Sequence, residues 1–167
     1  AGFYRMVVPR VLGGLELDPL SYLRIVELMA EGCGSVGWNL ANNGILQLIT
    51  LGLPQKGTEE IHAGGPQNGA GTAVQGGGTA VPVEGGYRVT GRWGFATGSR
   101  HAKWLGCHTP LFDPDGTPRK LPNGRQQVRT MIFRKSEAQI IDNWQVLGLR
   151  GTGSDSYALN DHFVPQA

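Results

Sequence analysis

The sequence lacks the cysteine patterns on which a disulfide framework or a metal site depends. Only two cysteines occur in 167 residues, Cys33 and Cys107, and they form neither a CxxC pair nor a zinc-ligand spacing. We expect both to be reduced packing residues in a cytoplasmic protein. The four histidines do not pair on one helix face around an acid, so no metal site is expected.

Other features are missing as well. The 15 basic residues are scattered and nearly balanced by 13 acidic ones, which argues against a nucleic-acid partner. The longest apolar stretch, 44–53, is interrupted by Gln47 and Thr50 and is too short for a membrane segment. The chain begins without Met or a leader, so we expect its natural amino terminus to be missing.

Motifs of two common enzyme classes are also missing. The glycine-rich stretch 64–78 contains no GxxxxGK[ST] and does not lead from a strand into a helix, which argues against a nucleotide loop. Ser99 and Ser154 follow glycines but lie outside any GxSxG motif, so a hydrolase triad is only a weak alternative.

Glycine is abundant, with 27 residues, and hydrophobic periodicity divides the chain into two parts. Before residue 55 the apolar spacing is helical, and Asp18-Pro19 is typical of a helix start. We predict helices at 19–31, 35–52 and 54–62.

After residue 62 the apolar pattern alternates and is broken by clusters of glycine, proline and aspartate, as in antiparallel β-structure. The turn 83–87 carries two glycines and predicts a tight hairpin. We predict strands at 72–83, 86–95, 103–112, 127–134, 137–147 and 156–164.

Three blocks of sequence carry a resemblance to the acyl-CoA dehydrogenase superfamily. The block GGYRVTGRWGFATGSRHAKW, 85–104, resembles the family's flavin-facing strand pair GYxVxGxKxWITNGxxADW. The block WQVLGLRGTGSDSYALNDHFVP, 144–165, resembles its GxRx[ST] segment and the strand that ends in VP. Residues 6–38 resemble the close of its amino-terminal helical domain. The three blocks cover nearly the whole chain in the family's order.

The resemblance implies an α+β fold: the C-terminal part of a helical domain, 1–55, followed by an antiparallel β-barrel-like middle domain, 56–167. It also implies a fragment, because the family's carboxy-terminal helical domain, which holds the catalytic base, should start after Val164-Pro165. We therefore expect no turnover by this chain alone, and its catalytic residues are unknown. The parent protein is expected to be a homotetramer.

Within the superfamily the motifs are more similar to the two-component monooxygenases that use reduced flavin, such as the 4-hydroxyphenylacetate and phenol-type hydroxylases. The acidic TEPxxGSD loop of the dehydrogenases falls near 64–72, where this chain has GGPQNGAGT. The implied activity is reaction of reduced FMN or FAD with oxygen, then hydroxylation of an aromatic or similar small molecule. A flavin reductase is the implied partner. An acyl-CoA dehydrogenase and a non-catalytic β-rich binding module are the alternatives.

Ungapped alignment places the cofactor-binding residues at Phe95, Thr97, Gly98 and Ser99. An aromatic ring at Phe95 would face the isoalloxazine, and the Thr97 hydroxyl would reach flavin N5. Gly98 would allow close backbone approach, and Ser99 could add a donor. Trp93 alternates in register with Phe95 and Thr97 and is therefore expected to share their face, as a pocket wall for substrate or as core.

Overall fold

The computed structural model describes residues 2–63, 70–73 and 75–166. Within these residues three α-helices precede the strands: α1 at Pro19–Gly32, α2 at Gly34–Thr50 and α3 at Gln55–His62. The described residues after them form seven strands. This order of helices and then strands confirms the predicted α+β class. The domain boundary at residue 55 stays a prediction.

Helix α1 begins where the sequence indicated. Asp18 has an extended backbone, and its Oδ1 accepts hydrogen bonds from the N–H groups of Leu20 and Ser21, both at 3.0 Å. Pro19 occupies the first helical position, where its missing N–H has no consequence. Helix α2 packs against α1, and the Tyr22 hydroxyl of α1 donates to the Leu40 carbonyl of α2 at 3.0 Å. This contact fixes the helix that will border the candidate site.

The strands form two sheets. One contains β1 (Ala70–Ala73), β4 (Trp104–Pro110) and β5 (Val128–Arg134), in the order β1-β4-β5. The other has the order β2-β3-β7-β6 and contains β2 (Gln75–Val83), β3 (Gly86–Gly94), β6 (Gln139–Ile141) and β7 (Ser156–Pro165). Short 3-10 helices occur at Phe3–Arg5, Arg10–Leu12, Lys135–Glu137 and Arg150–Thr152.

The predicted hairpin at 83–87 is confirmed. Strands β2 and β3 pair antiparallel from Val83 and Gly86 outward, and Gly85 takes a φ of 75° in the turn. Glycine is needed there because other residues rarely adopt a left-handed backbone.

Two strand predictions are wrong. The predicted strand 72–83 is two strands in different sheets, and β1 pairs parallel with β4, which departs from the expected antiparallel pattern. The predicted strand 137–147 is strand only over Gln139–Ile141. Its remainder is irregular because backbone N–H groups of 143 and 144 bond to a side chain instead of a neighbouring strand.

The main core lies between the two sheets. Trp93 of β3, Leu105 of β4 and Tyr157 of β7 are almost completely buried there. The rings of Trp93 and Tyr157 have centroids 5.6 Å apart, and Phe133 meets Tyr157 edge-on. The Tyr157 hydroxyl donates to the Gly106 carbonyl at 2.8 Å and so joins the two sheets. Among the described residues, no helix is both long and apolar enough to cross a membrane.

Candidate functional site

Phe95 stands at the point where β3 stops. The strand ends at Gly94, and Phe95 takes a left-handed backbone with a φ of 58°. This region is unfavourable for a bulky residue, and such strain is found mainly where the surrounding structure holds a functional segment. The turn leaves 52% of Phe95 exposed, so its aromatic ring is presented at the surface.

The same turn overturns the expectation that Trp93 shares a face with Phe95 and Thr97. Trp93 is 1% exposed and packs in the core against Tyr157. Alternation of side chains holds only while the backbone stays extended, and it ends at Gly94. The shared-face prediction is therefore wrong, while a contact between Trp93 and substrate stays a prediction.

Thr97 follows Phe95 by two residues and lies between helix α2 and the loop that contains Ser154. Its side chain is 3% exposed. The indole Nε1–H of Trp38, in α2, donates to Thr97 Oγ1 at 3.2 Å, and Ser154 Oγ lies 2.9 Å from the same oxygen. Trp38 and Ser154 are separated from Thr97 by 59 and 57 positions in the sequence, and both contact its hydroxyl.

A second aromatic ring flanks Phe95. Trp144 meets it edge-on, with centroids 5.6 Å apart and planes at 76°. The Trp144 Nε1–H donates to the Leu149 carbonyl at 3.1 Å, which fixes the indole. Leu149 itself has a φ of 54°, a second strained backbone beside the site.

Gly98 and Ser99 form the turn that follows Thr97. Gly98 has a φ of 77°, and a Cβ there would lie 3.0 Å from Asn39 Oδ1 of α2, so glycine permits both the turn and the close helix approach. Its N–H donates to the Thr152 carbonyl at 3.1 Å. Ser99 is fully buried and its hydroxyl donates to the Gly153 carbonyl at 3.2 Å. That hydrogen is used within the protein, and a donor role toward a ligand stays a prediction.

An ion pair ties these segments together. Arg100 Nε lies 2.6 Å from Asp155 Oδ2, and Arg100 Nη2 lies 3.2 Å from Asp155 Oδ1. The Asp155 side chain is 1% exposed. Its Oδ1 also accepts from the backbone N–H groups of Asn143 and Trp144, at 3.1 and 3.0 Å. One carboxylate thus fixes the turn after Thr97 and the backbone that carries Trp144.

The environment of Asp155 keeps it ionised. Burial acts to raise the pKa of this carboxyl, but the hydrogen bonds from Arg100, Trp144 and Asn143 outweigh burial and leave the pKa below its usual value. Because the charge is both paired and fully hydrogen-bonded, it serves as a structural anchor for the site.

The four residues that the alignment assigned to cofactor binding, Phe95, Thr97, Gly98 and Ser99, lie in the connection between β3 and β4, and their role in flavin binding stays a prediction. Sequence reasoning missed the side chains that surround the turn, above all Trp38 and Ser154. Trp38 lies in the predicted helix 35–52, and the structure shows that half of it is exposed, as is typical of an aromatic residue at a binding surface. Among the described residues, no group of three or more His, Cys, Asp or Glu side chains could hold a metal ion.

A cavity of about 530 Å³ lies elsewhere, between the α2–α3 region and strands β5 and β7. Leu53, Ile61 and Phe133 are among its lining residues, and none of the side chains around Thr97 contributes to it. The candidate site is instead a surface framed by exposed aromatic rings, so the cavity and the site are separate features.

Two of three comparisons with known proteins found relatives of this chain. No protein-family model matches the chain. The oxygenase subunit HsaA of a flavin-dependent monooxygenase from Mycobacterium tuberculosis is 32% identical over 165 residues, which are 99% of this chain and 40% of HsaA. An indole-3-acetate monooxygenase from Pseudomonas putida is 31% identical over 168 residues, covering 98% of this chain and 40% of that enzyme. The chain spans about two fifths of the length of these relatives.

A solved structure shares the fold. XiaF from Streptomyces sp., in complex with FADH2 and glycerol, superposes with a TM-score of 0.90 at 27% identity, over 99% of this chain and 40% of XiaF. The likeness extends through both the helices and the sheets described above. The chain is therefore homologous to oxygenase subunits of flavin-dependent monooxygenases, and it has part of the acyl-CoA dehydrogenase fold.

Proposed function

We propose that this chain supplies the flavin-facing surface of an oxygenase component that uses reduced flavin and oxygen to hydroxylate a small aromatic molecule. The names of the relatives support this activity, since they are a flavin-dependent monooxygenase subunit and an indole-3-acetate monooxygenase. The FADH2 bound to XiaF supports a reduced flavin. FMN and FAD both remain candidates for this chain.

The side chains around Thr97 fit an isoalloxazine ring, which needs a flat apolar face and a polar group at its N5 edge. Phe95 and Trp38 are each about half exposed, and the indole of Trp38 donates to the Thr97 hydroxyl. One observation carries the proposal: the Thr97 hydroxyl contacts both Trp38 and Ser154. It lies two residues after Phe95, which is exposed and has a strained backbone.

Each residue has a distinct task in this proposal. Phe95 and Trp144 cover apolar ring surface and exclude water. Thr97 holds a hydrogen bond at the N5 edge, and Gly98 lets the backbone approach. When bound, reduced flavin supplies the electrons with which oxygen is activated and one oxygen atom is passed to substrate. For Trp93 we favour support of the turn from the core over direct contact with substrate, because its ring is buried.

The substrate, the partner protein, the location and the assembly of the parent protein are proposals of the same kind. A small-molecule substrate and a flavin reductase that supplies reduced flavin follow from a two-component mechanism. A cytoplasmic location and a homotetrameric parent protein stay predictions. The segment 64–72, which would decide how the chain departs from the acyl-CoA dehydrogenases, lies mostly outside the described residues.

Calorimetric titration tests whether the turn binds flavin. The chain is titrated with FMN and with FAD, each in its oxidised form and, under argon, in its reduced form. Saturable binding of a reduced flavin is expected. If neither flavin binds in either redox state, the non-catalytic binding module replaces the enzyme as the better account. Bleaching of bound oxidised flavin by an acyl-CoA would favour the dehydrogenase alternative instead.

Turnover is tested separately. With reduced flavin, oxygen and a panel of phenols and indoles, we expect no hydroxylated product from this chain alone, because it spans only about two fifths of its relatives. Robust product formation would contradict that expectation while supporting the proposed reaction.

A further inference from the structure

Thr97 is the first of three buried residues whose hydroxyl groups form a line of contacts. Thr97 Oγ1 lies 2.9 Å from Ser154 Oγ, which lies 2.7 Å from Thr152 Oγ1. Thr152 Oγ1 donates to the Leu149 carbonyl at 2.9 Å. At the other end, the indole of Trp38 donates to Thr97. We call these three hydroxyls, Thr97, Ser154 and Thr152, the hydroxyl relay.

The two ends of the relay fix the direction of its hydrogen bonds. The Leu149 carbonyl, which also accepts from the Thr152 N–H and the Trp144 indole N–H at 3.1 Å each, can only accept, and the Trp38 indole N–H can only donate. Three hydroxyl hydrogens serve three oxygen–oxygen contacts, so each contact receives one hydrogen in a single arrangement. Thr152 donates to Leu149, Ser154 donates to Thr152, and Thr97 donates to Ser154. The reverse direction would leave two oxygens 2.9 Å apart with no hydrogen between them.

The arrangement determines what Thr97 can offer to a ligand. Its only hydrogen is committed to Ser154, and one lone pair accepts from Trp38. The remaining lone pair can accept a hydrogen bond but the hydroxyl has nothing left to donate. At 3% exposure, Thr97 has little contact with bulk water that could reorganise the relay.

We propose that Ser154 and Thr152 act as specificity-determining residues, which hold the Thr97 hydroxyl as a hydrogen-bond acceptor toward the ligand and so favour reduced over oxidised flavin. This inference rests on the proposed function. Reduced flavin carries an N–H at N5, which can donate to Thr97. Oxidised flavin presents a lone pair at N5, which would face the lone pair of Thr97 without a hydrogen between them.

Affinities for the two redox states of one flavin test the proposal. The unsubstituted chain should bind reduced flavin more tightly than oxidised flavin, on the order of tenfold for one neutral hydrogen bond. In Ser154→Ala the hydrogen of Thr97 is released to the ligand, so oxidised flavin should gain affinity and most of the preference should disappear. Thr152→Val should act in the same direction, because Ser154 loses its acceptor and turns its hydrogen toward Thr97.

Ser156→Ala is the matched control. Ser156 is also buried and its hydroxyl accepts from Asn143 Nδ2 at 3.0 Å, outside the relay. The ratio of the affinities of Ser156→Ala for reduced and oxidised flavin should equal the ratio for the unsubstituted chain. Circular dichroism tests whether each variant is folded. If one of the two relay variants does not fold, the other still tests the proposal.

The outcomes separate the two proposals. An unchanged ratio in folded Ser154→Ala and Thr152→Val would overturn the role of the relay, while flavin binding itself would still support the proposed function. An equal affinity of the unsubstituted chain for both redox states would do the same. Absence of binding in either state would overturn both.

Discussion

The guanidinium of Arg100 and the carboxylate of Asp155 form a two-point ion pair, with Nε and Oδ2 2.6 Å apart and Nη2 and Oδ1 3.2 Å apart. Arg100 follows the predicted flavin turn, and Asp155 follows the hydroxyl relay. The pair therefore joins the two segments on which the candidate site depends. Arg100 also reaches Asp142 at 2.7 Å, but that carboxylate is 80% exposed.

Loss of the buried carboxylate should destabilise the fold. We expect Asp155→Asn to lower the free energy of unfolding by about 3 kcal/mol, because Arg100 and the N–H groups of Asn143 and Trp144 lose a charged acceptor. Asp142→Asn, at the exposed partner, should cost less than about 1 kcal/mol. Urea unfolding measures both, and equal losses would contradict the anchoring role of Asp155.

The same carboxyl predicts a pH dependence. The pKa of Asp155 lies below its ordinary value of 3.8 when the chain is folded. Its ionised form therefore stabilises the fold above about pH 4, and this contribution is lost as the pH falls through the folded pKa. The difference in unfolding free energy between the unsubstituted chain and Asp155→Asn should shrink below about pH 4. A difference that stays constant from pH 6 to pH 3 would contradict this assignment.

The two cysteines should differ in reactivity. Burial raises the pKa of the Cys107 thiol to about 11, whereas Cys33 is exposed. At pH 8, a thiol-specific reagent such as dithionitrobenzoate should label one cysteine in the folded chain and two in urea, because the thiolate is the reacting form. Cys33→Ser should abolish the native signal. Rapid native labelling of Cys107 in that variant would show that the core between the sheets is open.

The strained backbone at Leu149 can be relieved. With a φ of 54°, Leu149→Gly should raise the free energy of unfolding by up to about 1 kcal/mol, since glycine adopts this conformation at little cost. Leu147→Gly is the control, because Leu147 is fully exposed and has no positive φ. That change should leave stability unchanged or lower it. Thermal denaturation measures both changes. Destabilisation by Leu149→Gly would mean that the leucine side chain stabilises the fold by more than its strained backbone destabilises it.

Local signals in the sequence predicted most elements of the fold. The Asp18-Pro19 start gave α1 to within a residue, and alternation with glycine turns gave β3, β4, β5 and β7. These features depend on neighbours along the chain, which a sequence displays directly. The parallel pairing of β1 with β4 depends on residues about 34 positions apart, and no local pattern records it.

The candidate site was predictable only in part, for a similar reason. Phe95, Thr97 and Gly98 came from an aligned motif, and they lie in the connection between β3 and β4. Alternation failed at Phe95 because its positive φ breaks the extended backbone on which alternation depends. Contacts such as Trp38 with Thr97 join distant segments, so the relay became visible only in three dimensions.

The central claim, that Thr97 lies at the flavin edge, is tested most directly by the affinity of Thr97→Val for reduced flavin. Valine keeps the shape of threonine and replaces the hydroxyl with a methyl group. Thr109→Val is the control, since Thr109 is equally buried but lies in β4, where its hydroxyl contacts Cys107 at 3.3 Å. We predict that Thr97→Val weakens binding about tenfold while Thr109→Val leaves it unchanged. Unchanged binding by folded Thr97→Val would contradict the account.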